Sequence, residues 1–476
     1  MADLSALTAR PGRQTIPQGK KPAGKEPQMT VSRRRLLQYA AALPALPLFG
    51  RAAAQTAGHP PVIFVHGNGD HAALWMTTLW RFEANGWPRD RLVAFNFTDP
   101  LSRNDDAVPM AGRSGTEDQL RELTAVVRST LVRTGAEKVA LVGSSRGGYA
   151  IRNFVTGDGA GQVSHAVLCG TPNRGVFDWE FNPGSEFNGR GPFLRRLNGS
   201  DTDIVPGTAF LTLYSEGNDK FAQADGRYVG RPGTPTGITT EGPTLRGATN
   251  IGLGPLDHRE VAFHPRAFRE IYRFIAGTEP ATLAVAPESI VALDGLVTGN
   301  AGGIPSNRPL GDAVIEVFRV HPDTAGRQGE ALLRRTTGPD GRWGPVSVSA
   351  TDWLEFVVEA PGHPRTHIFR SPFPRSSEVV HLRPARPLSD ADRAAGAVVL
   401  MTRPRGYFGI PRDVVLLGGK EAADVTRGVA TDAATTLRLP AAEIGRTVVG
   451  LFNEERVVAR AVPVAENRIA VAELTW

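Results

Sequence analysis

The stretch Val139-Ala-Leu-Val-Gly-Ser-Ser145-Arg-Gly-Gly-Tyr-Ala-Ile-Arg152 decides the fold. An apolar run long enough for a buried strand ends in Gly143-Ser144-Ser145-Arg146-Gly147, and a helix-forming segment follows. Small residues on both sides of Ser145 leave room for a sharp, strained strand-to-helix turn. Such a turn lifts the serine hydroxyl above the sheet and aims the next helix's N-terminus at the same spot. The expectation is a nucleophile elbow on a parallel sheet.

The flanking sequence agrees. From Pro60 to Gly277 short apolar runs alternate with amphipathic stretches. Val62–Val65, Leu92–Phe97, Val139–Val142, His165–Cys169 and Phe210–Tyr214 read as strands. Residues 117–134 read as a helix, because Leu120, Leu123, Val126, Val127 and Leu131 recur at helical spacing, with Ser114 and Glu117 as a capping box. Phe268–Ile275 reads as a closing helix. Alternating strands and helices imply a parallel sheet covered on both faces.

A serine nucleophile needs a base and a carboxylate that orients the base. In this fold they follow the serine in the order acid, then histidine. His258, in Pro255-Leu-Asp-His258-Arg-Glu just before the last helix, is the expected base. His264 is its rival, and His165 reads as structural. Asp219, in the loop after the Leu211–Tyr214 run, is the expected acid, with Glu216 and Asp225 as rivals. Asp257 is set aside because neighbouring side chains rarely face each other. The oxyanion hole needs two backbone N–H groups. Arg146, directly after the nucleophile, supplies one, and Asn68 in His66-Gly-Asn-Gly-Asp70 supplies the other. His66 supports that loop. Trp75, Met76, Leu79 and Trp80 share a helix face and could line an acyl pocket or pack in the core. No HExxH pattern or Cys/His cluster occurs, so neither a metal nor an organic cofactor is expected.

These residues resemble the secreted α/β-hydrolase lipases and esterases of bacteria. His66-Gly67-Asn68-Gly69 is similar to their oxyanion loop, and Gly143-Ser-Ser145-Arg-Gly147 to their elbow. Gly170-Thr-Pro172, Gly191-Pro-Phe-Leu194, Asn218-Asp219 and Asp257-His258 fall where such lipases carry like segments. The resemblance covers roughly residues 59–277 and implies acyl transfer on an ester. One departure is Ser144, where lipases of this group commonly carry His. An α/β-hydrolase followed by β-structure also resembles long-chain lipases with a C-terminal β-barrel. The alternatives are a polyester depolymerase with a β substrate-binding module, and a catalytically inactive binding or adhesion protein on the same scaffold.

The rest of the chain divides as follows. Residues 1–54 read as a twin-arginine signal peptide: Ser32-Arg33-Arg34-Arg35-Leu36-Leu37, an apolar stretch to Phe49, then Ala52-Ala53-Ala54, with cleavage expected before Gln55. That makes the twin-arginine export machinery a partner and the protein periplasmic or secreted. The leader also holds the basic charge. It carries nine Lys or Arg and two acids, which leaves 45 basic and 46 acidic residues after it, so no nucleic-acid partner is inferred. The apolar stretch is too short to span a bilayer comfortably. Residues 55–278 form the catalytic domain. Residues 279–390, with alternating runs such as Ala313–Val320 and Leu354–Glu359, read as a β-sandwich-like domain. Residues 391–476 read as a second β-rich domain or the completion of the first. The β-rich half is expected to cover the cleft or help bind an ester substrate, lipid or polyester. Phe177, Trp179, Phe181, Phe187 and Phe193 read equally as a cleft wall or as packing. Cys169, the only cysteine, ends an apolar run and reads as a buried core thiol.

Overall fold

The computed structural model describes residues 58–301 and 303–476. Residues 1–54, read above as a twin-arginine leader, lie outside the described residues.

The N-terminal part is built on a parallel sheet of six strands. In chain order they are β1 (Val62–Val65), β2 (Leu92–Phe95), β3 (Val139–Ser144), β4 (Val163–Cys169), β5 (Ala209–Tyr214) and β6 (Thr249–Gly252). They lie in the order β2-β1-β3-β4-β5-β6. Helices α1 (Met76–Ala84), α2 (Thr116–Thr134), α3 (Arg146–Thr156) and α4 (Pro265–Ala276) cover both faces. This is the α/β-hydrolase arrangement that the elbow implied.

The two-sided cover explains why β1 and β3 are apolar at nearly every position. Val62, Phe64, Ala140, Val142, Val167 and Leu211 point to the face under α1 and α4, against Phe82, Phe268 and Ile271. Ile63, Val65, Leu141, Ala166 and Leu168 point to the other face, against Leu123 and Val127 of α2 and Ile151 and Phe154 of α3. Each fully buried side chain of this size contributes ~1.5–3 kcal/mol. The capping of α2 differs from expectation. Its cap is Gly115, whose N–H donates to Asp118 Oδ2 at 2.9 Å. Ser114 serves elsewhere, donating its hydroxyl to the Asp99 carbonyl at 2.7 Å.

Strand β6, Thr-Asn-Ile-Gly, was not expected. It is an edge strand with two exposed residues, so it lacks the apolar run that marks the buried strands.

After Gly277 the chain is β-structure. A mixed seven-stranded sheet contains, in order, Leu333–Thr336, Val314–Val320, Trp353–Glu359, Arg365–Arg370, Arg468–Glu473, Ala397–Thr402 and Ala434–Leu439. The last strand of the chain pairs in parallel with Arg365–Arg370 on one side and Ala397–Thr402 on the other. It thereby joins strands from before and after residue 390. A four-stranded sheet packs on one face through Val448, Val457 and Ala459. The Ile290–Leu293 and Val346–Ser349 pair packs on the other, over Ile315, Phe356 and Val358. Met76 and Trp80 of α1 enter this last cluster, so the hydrolase and β parts share core.

Three histidines in these packed layers are held neutral. Burial away from water pulls His66 to about 4, His264 to about 4 and His381 to about 3. The unfolded chain takes up protons between pH 6.5 and 4 that these rings refuse. Their contribution to stability is therefore present above about pH 6.5 and is lost as pH falls through about 4.

Two outcomes follow. Phe268→Ala, which empties a site packed against Phe82 with ring centroids 5.3 Å apart, should lower the unfolding free energy by ~3–5 kcal/mol in urea titrations. Stability of the native chain should fall between pH 6.5 and 4. His66→Gln should flatten that dependence by up to roughly 3 kcal/mol, at ~1.4 kcal/mol per pKa unit; an unchanged slope contradicts the neutral buried ring.

Candidate active site

Ser145 lies between β3 and α3 with φ 51° and ψ −122°, one of the few non-glycine residues at positive φ. Holding a residue there costs ~1–3 kcal/mol, so the surroundings must enforce it. The Ser145 N–H donates to the Cys169 carbonyl at 2.8 Å. Glycines remove the obstacles around it. A Cβ on Gly147 would lie 2.4 Å from the Val65 carbonyl oxygen, and one on Gly143 would lie 2.7 Å from Ile151 Cδ1. The elbow packs so tightly against β1 that larger residues are excluded.

His258 and Asp219 come together. His258 Nδ1 lies 2.8 Å from Asp219 Oδ2, and both side chains are almost fully buried. An ionised carboxylate only accepts, so Nδ1 carries a proton, and in the neutral ring Nε2 is the acceptor. That Nε2 is buried and has no hydrogen-bond partner among the described residues. The Phe221 ring meets the imidazole edge-on at 4.7 Å, and the Phe221 N–H donates to Asp219 Oδ1 at 2.8 Å. Gly170, next to Cys169, has φ 58°, and a Cβ there would come within 3.1 Å of the His258 carbonyl oxygen. The strand end that anchors Ser145 thus also makes room for His258.

The loop after β1 closes over the elbow. A Cβ on Gly67 would lie 3.0 Å from Ser145 Cβ. The Asn68 amide oxygen accepts from the Ser102 N–H at 2.8 Å, while the Asn68 backbone N–H finds no acceptor among the described residues. Arg146 opens α3, so its N–H has no intrahelical acceptor. His66 Nε2 accepts the Phe97 N–H at 3.0 Å, which puts its proton on Nδ1, facing the Gly67 carbonyl at 2.8 Å. His66 is committed to the loop.

The rival residues have other partners. Glu216 accepts from the Gly254 N–H, and Asp225 caps the Gly226–Val229 turn. His264 caps α4 by accepting the Arg266 N–H, and His165 packs on Phe274. Of the two readings of Trp75, Met76 and Leu79, the packing supports the core for Trp75. Trp75 is sealed in the core against Phe64, with ring centroids 5.2 Å apart. Met76 and Leu79 line a cavity with Arg89, Leu92 and Arg133. Arg89 and Leu92 sit at the amino end of β2 and Arg133 in the last turn of α2, which leads into β3, whereas Ser145 follows the carboxyl end of β3. Trp75, Met76 and Leu79 were grouped by helical spacing, which says nothing about which end of the sheet they reach.

Phe177, Trp179 and Phe181 form a stacked ladder, with neighbouring rings 4.4 and 4.8 Å apart and Arg231 over Phe181. Phe187 and Phe193 pack on Tyr149 of α3.

Several supporting residues had no signal in the sequence. The Arg146 guanidinium is buried and bonds Glu186 at 2.6 Å, the Ser114 carbonyl at 2.7 Å and the Ser114 hydroxyl at 2.9 Å. The β region supplies more. Arg403 bonds Asp257 at 2.6 Å and Glu260 at 2.7 Å, one residue before and two after His258. Burial and Glu260 hold the Asp257 carboxyl above its usual range. Asn218, beside Asp219, accepts the Ala430 N–H at 3.0 Å. Asn307 donates to the Asp70 and Phe97 carbonyls, both at 2.9 Å, bracing the loop after β1. Arg259, beside His258, pairs with Asp70. Among the described residues no cluster of His, Cys, Asp and Glu is arranged to hold a metal ion. No helix among them is long and apolar enough to cross a membrane.

The model of the class 2 lipase family matches residues 59–172, and that of the lipase C-terminal domain matches residues 290–387. Among solved structures, the chain is similar to the mature form of a Bacillus licheniformis lipase, at 21% identity over 46% of this chain and 90% of that one, with a TM-score of 0.30. It is similar to Aspergillus fumigatus lipase B at 15% identity over 47% of this chain and 54% of that one, with a TM-score of 0.35. A phospholipase from Legionella pneumophila aligns over 88% of this chain and 93% of its own length, at 14% identity and a TM-score of 0.32. A segment similar to class 2 lipases thus lies ahead of one similar to lipase C-terminal domains on the same chain, which supports a carboxylester hydrolase.

Proposed function

We propose that this hydrolase works through a Ser145–His258–Asp219 triad and a covalent acyl-enzyme. The observation that carries the reading is the buried 2.8 Å contact between His258 Nδ1 and Asp219, which orients the ring so that Nε2, without a partner among the described residues, is its acceptor when neutral. Ser145 Oγ attacks the ester carbonyl carbon while His258 Nε2 accepts its proton. The Asn68 and Arg146 N–H groups hold the oxyanion, and Asp219 stabilises the imidazolium. His258 then protonates the leaving alkoxide, the C–O bond breaks, and Ser145 carries the acyl group. Water, deprotonated by the same nitrogen, releases the carboxylic acid and restores Ser145. This sequence calls on no metal or organic cofactor.

The substrate is an ester, lipid or polyester. The catalytic domain is assigned to residues 55–278, followed by β structure at 279–390 and 391–476. We also propose residues 1–54 as a twin-arginine leader, cleaved before Gln55, that delivers the protein to the periplasm or the medium. Its support is the Arg33-Arg34-Arg35 run, the apolar stretch and the Ala52–Ala54 site.

Hydrolysis of p-nitrophenyl esters of increasing acyl length tests the triad. Ser145→Ala should lower kcat by about 10⁴-fold or more with little change in the melting temperature. Turnover that survives the substitution removes Ser145 from the mechanism. N-terminal sequencing of the exported protein tests the leader: Gln55 as the first residue is expected, and an N-terminus upstream of Arg33 overturns it.

A further inference from the structure

The seam between the hydrolase part and the β region encloses a cavity of about 320 Å³, within the size range of small-molecule sites. Ser145, Asp219 and His258 do not line it. Its polar wall holds four guanidinium groups, those of Arg370, Arg383, Arg386 and Arg405, and one carboxylate, that of Glu473. Arg370 takes the carboxylate, bonding Glu473 at 2.5 Å. The other three make no ion pair among the described residues.

Arg383 uses only Nη2, donating to the Ser306 carbonyl at 3.3 Å and to Asn307 Oδ1 at 2.9 Å, and its Nε is buried with no acceptor. Arg405 is 2% exposed. Its bonds go to the neutral carbonyls of Thr475 at 2.7 Å and Leu474 at 2.6 Å. Burial, with Arg370 nearby, pulls its pKa down to about 9. His71 adds a donor. Its Nδ1 accepts the Ala73 N–H, so the neutral ring carries its proton on Nε2. His381, Asn300 and Thr402 also line it, and the wall includes the apolar side chains of Ile368, Val379, Leu400 and Val471.

Arg383 is half-buried and Arg405 buried, their only nearby wall carboxylate, Glu473, is bonded to Arg370, and an anion that their N–H groups grip would relieve the cost of holding them there. The facing apolar wall suits a hydrocarbon chain. We propose that this cavity binds an amphiphile with one anionic head, carboxylate or phosphate, on a short alkyl chain. The head sits between Arg383 and Arg405, and the chain lies along Leu400 and Val471. Both a free fatty acid and a phosphate-headed lipid fragment offer this chemistry.

Calorimetric titration of the full chain with octanoate, octyl phosphate and 1-octanol tests the site. One of the two anions should bind at one site per chain, about tenfold or more tighter than octanol. Whether octanoate or octyl phosphate binds tighter identifies the head. Arg383→Gln and Arg405→Gln should each weaken that anion by about tenfold. If these buried variants do not fold, exposed Arg386→Glu decides, and it should weaken the anion by roughly threefold while leaving octanol unchanged. No saturable binding of either anion up to roughly 10 mM, equal affinity for octanol, or affinity untouched by the folded variants each overturns the proposal.

Discussion

The arrangement around His258 depends on one buried guanidinium. Arg403 belongs to the β region, yet it bonds Asp257 and Glu260, which bracket His258 in sequence. All three side chains lie in the interior. Arg412 shares the load, bonding Glu260 at 2.6 Å and standing 3.9 Å from Asp257, so removing Arg403 strips Asp257 of its close cation, a loss of up to ~3–5 kcal/mol for a broken buried pair. Asp257 makes the clamp tighter still. Its Oδ1 accepts the Arg259 and Glu260 N–H groups, and its Oδ2 accepts the Tyr407 N–H at 2.9 Å. The loop that carries His258 is therefore fixed from outside the α/β part.

The same logic extends to the other loops at the carboxyl ends of the strands. Asn218 ties the Asp219 loop to Ala430, and Lys220 lies over the Tyr407 ring at 3.7 Å. Asn307 braces the loop after β1, and Asp70 of that loop pairs with Arg259. Loops that would be mobile on an isolated sheet each have a partner in the β region. In this account the β region orients the reacting groups, whatever else it does with substrate.

Features set by local sequence were legible. The β3–α3 turn, the strands flanking it and the helix at 116–134 follow from apolar runs, helical spacing and small residues at a strained turn. Asp219 and His258 could be selected because the fold fixes their order and each follows or precedes a recognisable element. Strand β6 was missed because an edge strand need not be apolar. The cap of α2 was misplaced because Ser114 also suits the pattern but is drawn off by Asp99 and Arg146. Trp75 and Met76 stayed open between pocket and core because spacing groups residues on one helix without saying what the helix packs against. Arg403, Asn307 and Glu186 gave no signal. Their partners lie 40 to more than 200 residues away, and an arginine bound for a buried carboxylate looks in sequence like any surface arginine.

The central claim is that Ser145 is the nucleophile and that the Asp219-oriented imidazole of His258 activates it. Labelling of the native chain with an alkyl fluorophosphonate, located by mass spectrometry of the digested protein, tests this directly. One adduct per chain on Ser145 is the result the account requires, with labelling slowed by orders of magnitude in folded His258→Ala. An adduct on another serine, or labelling of Ser145 at the native rate without His258, would contradict it.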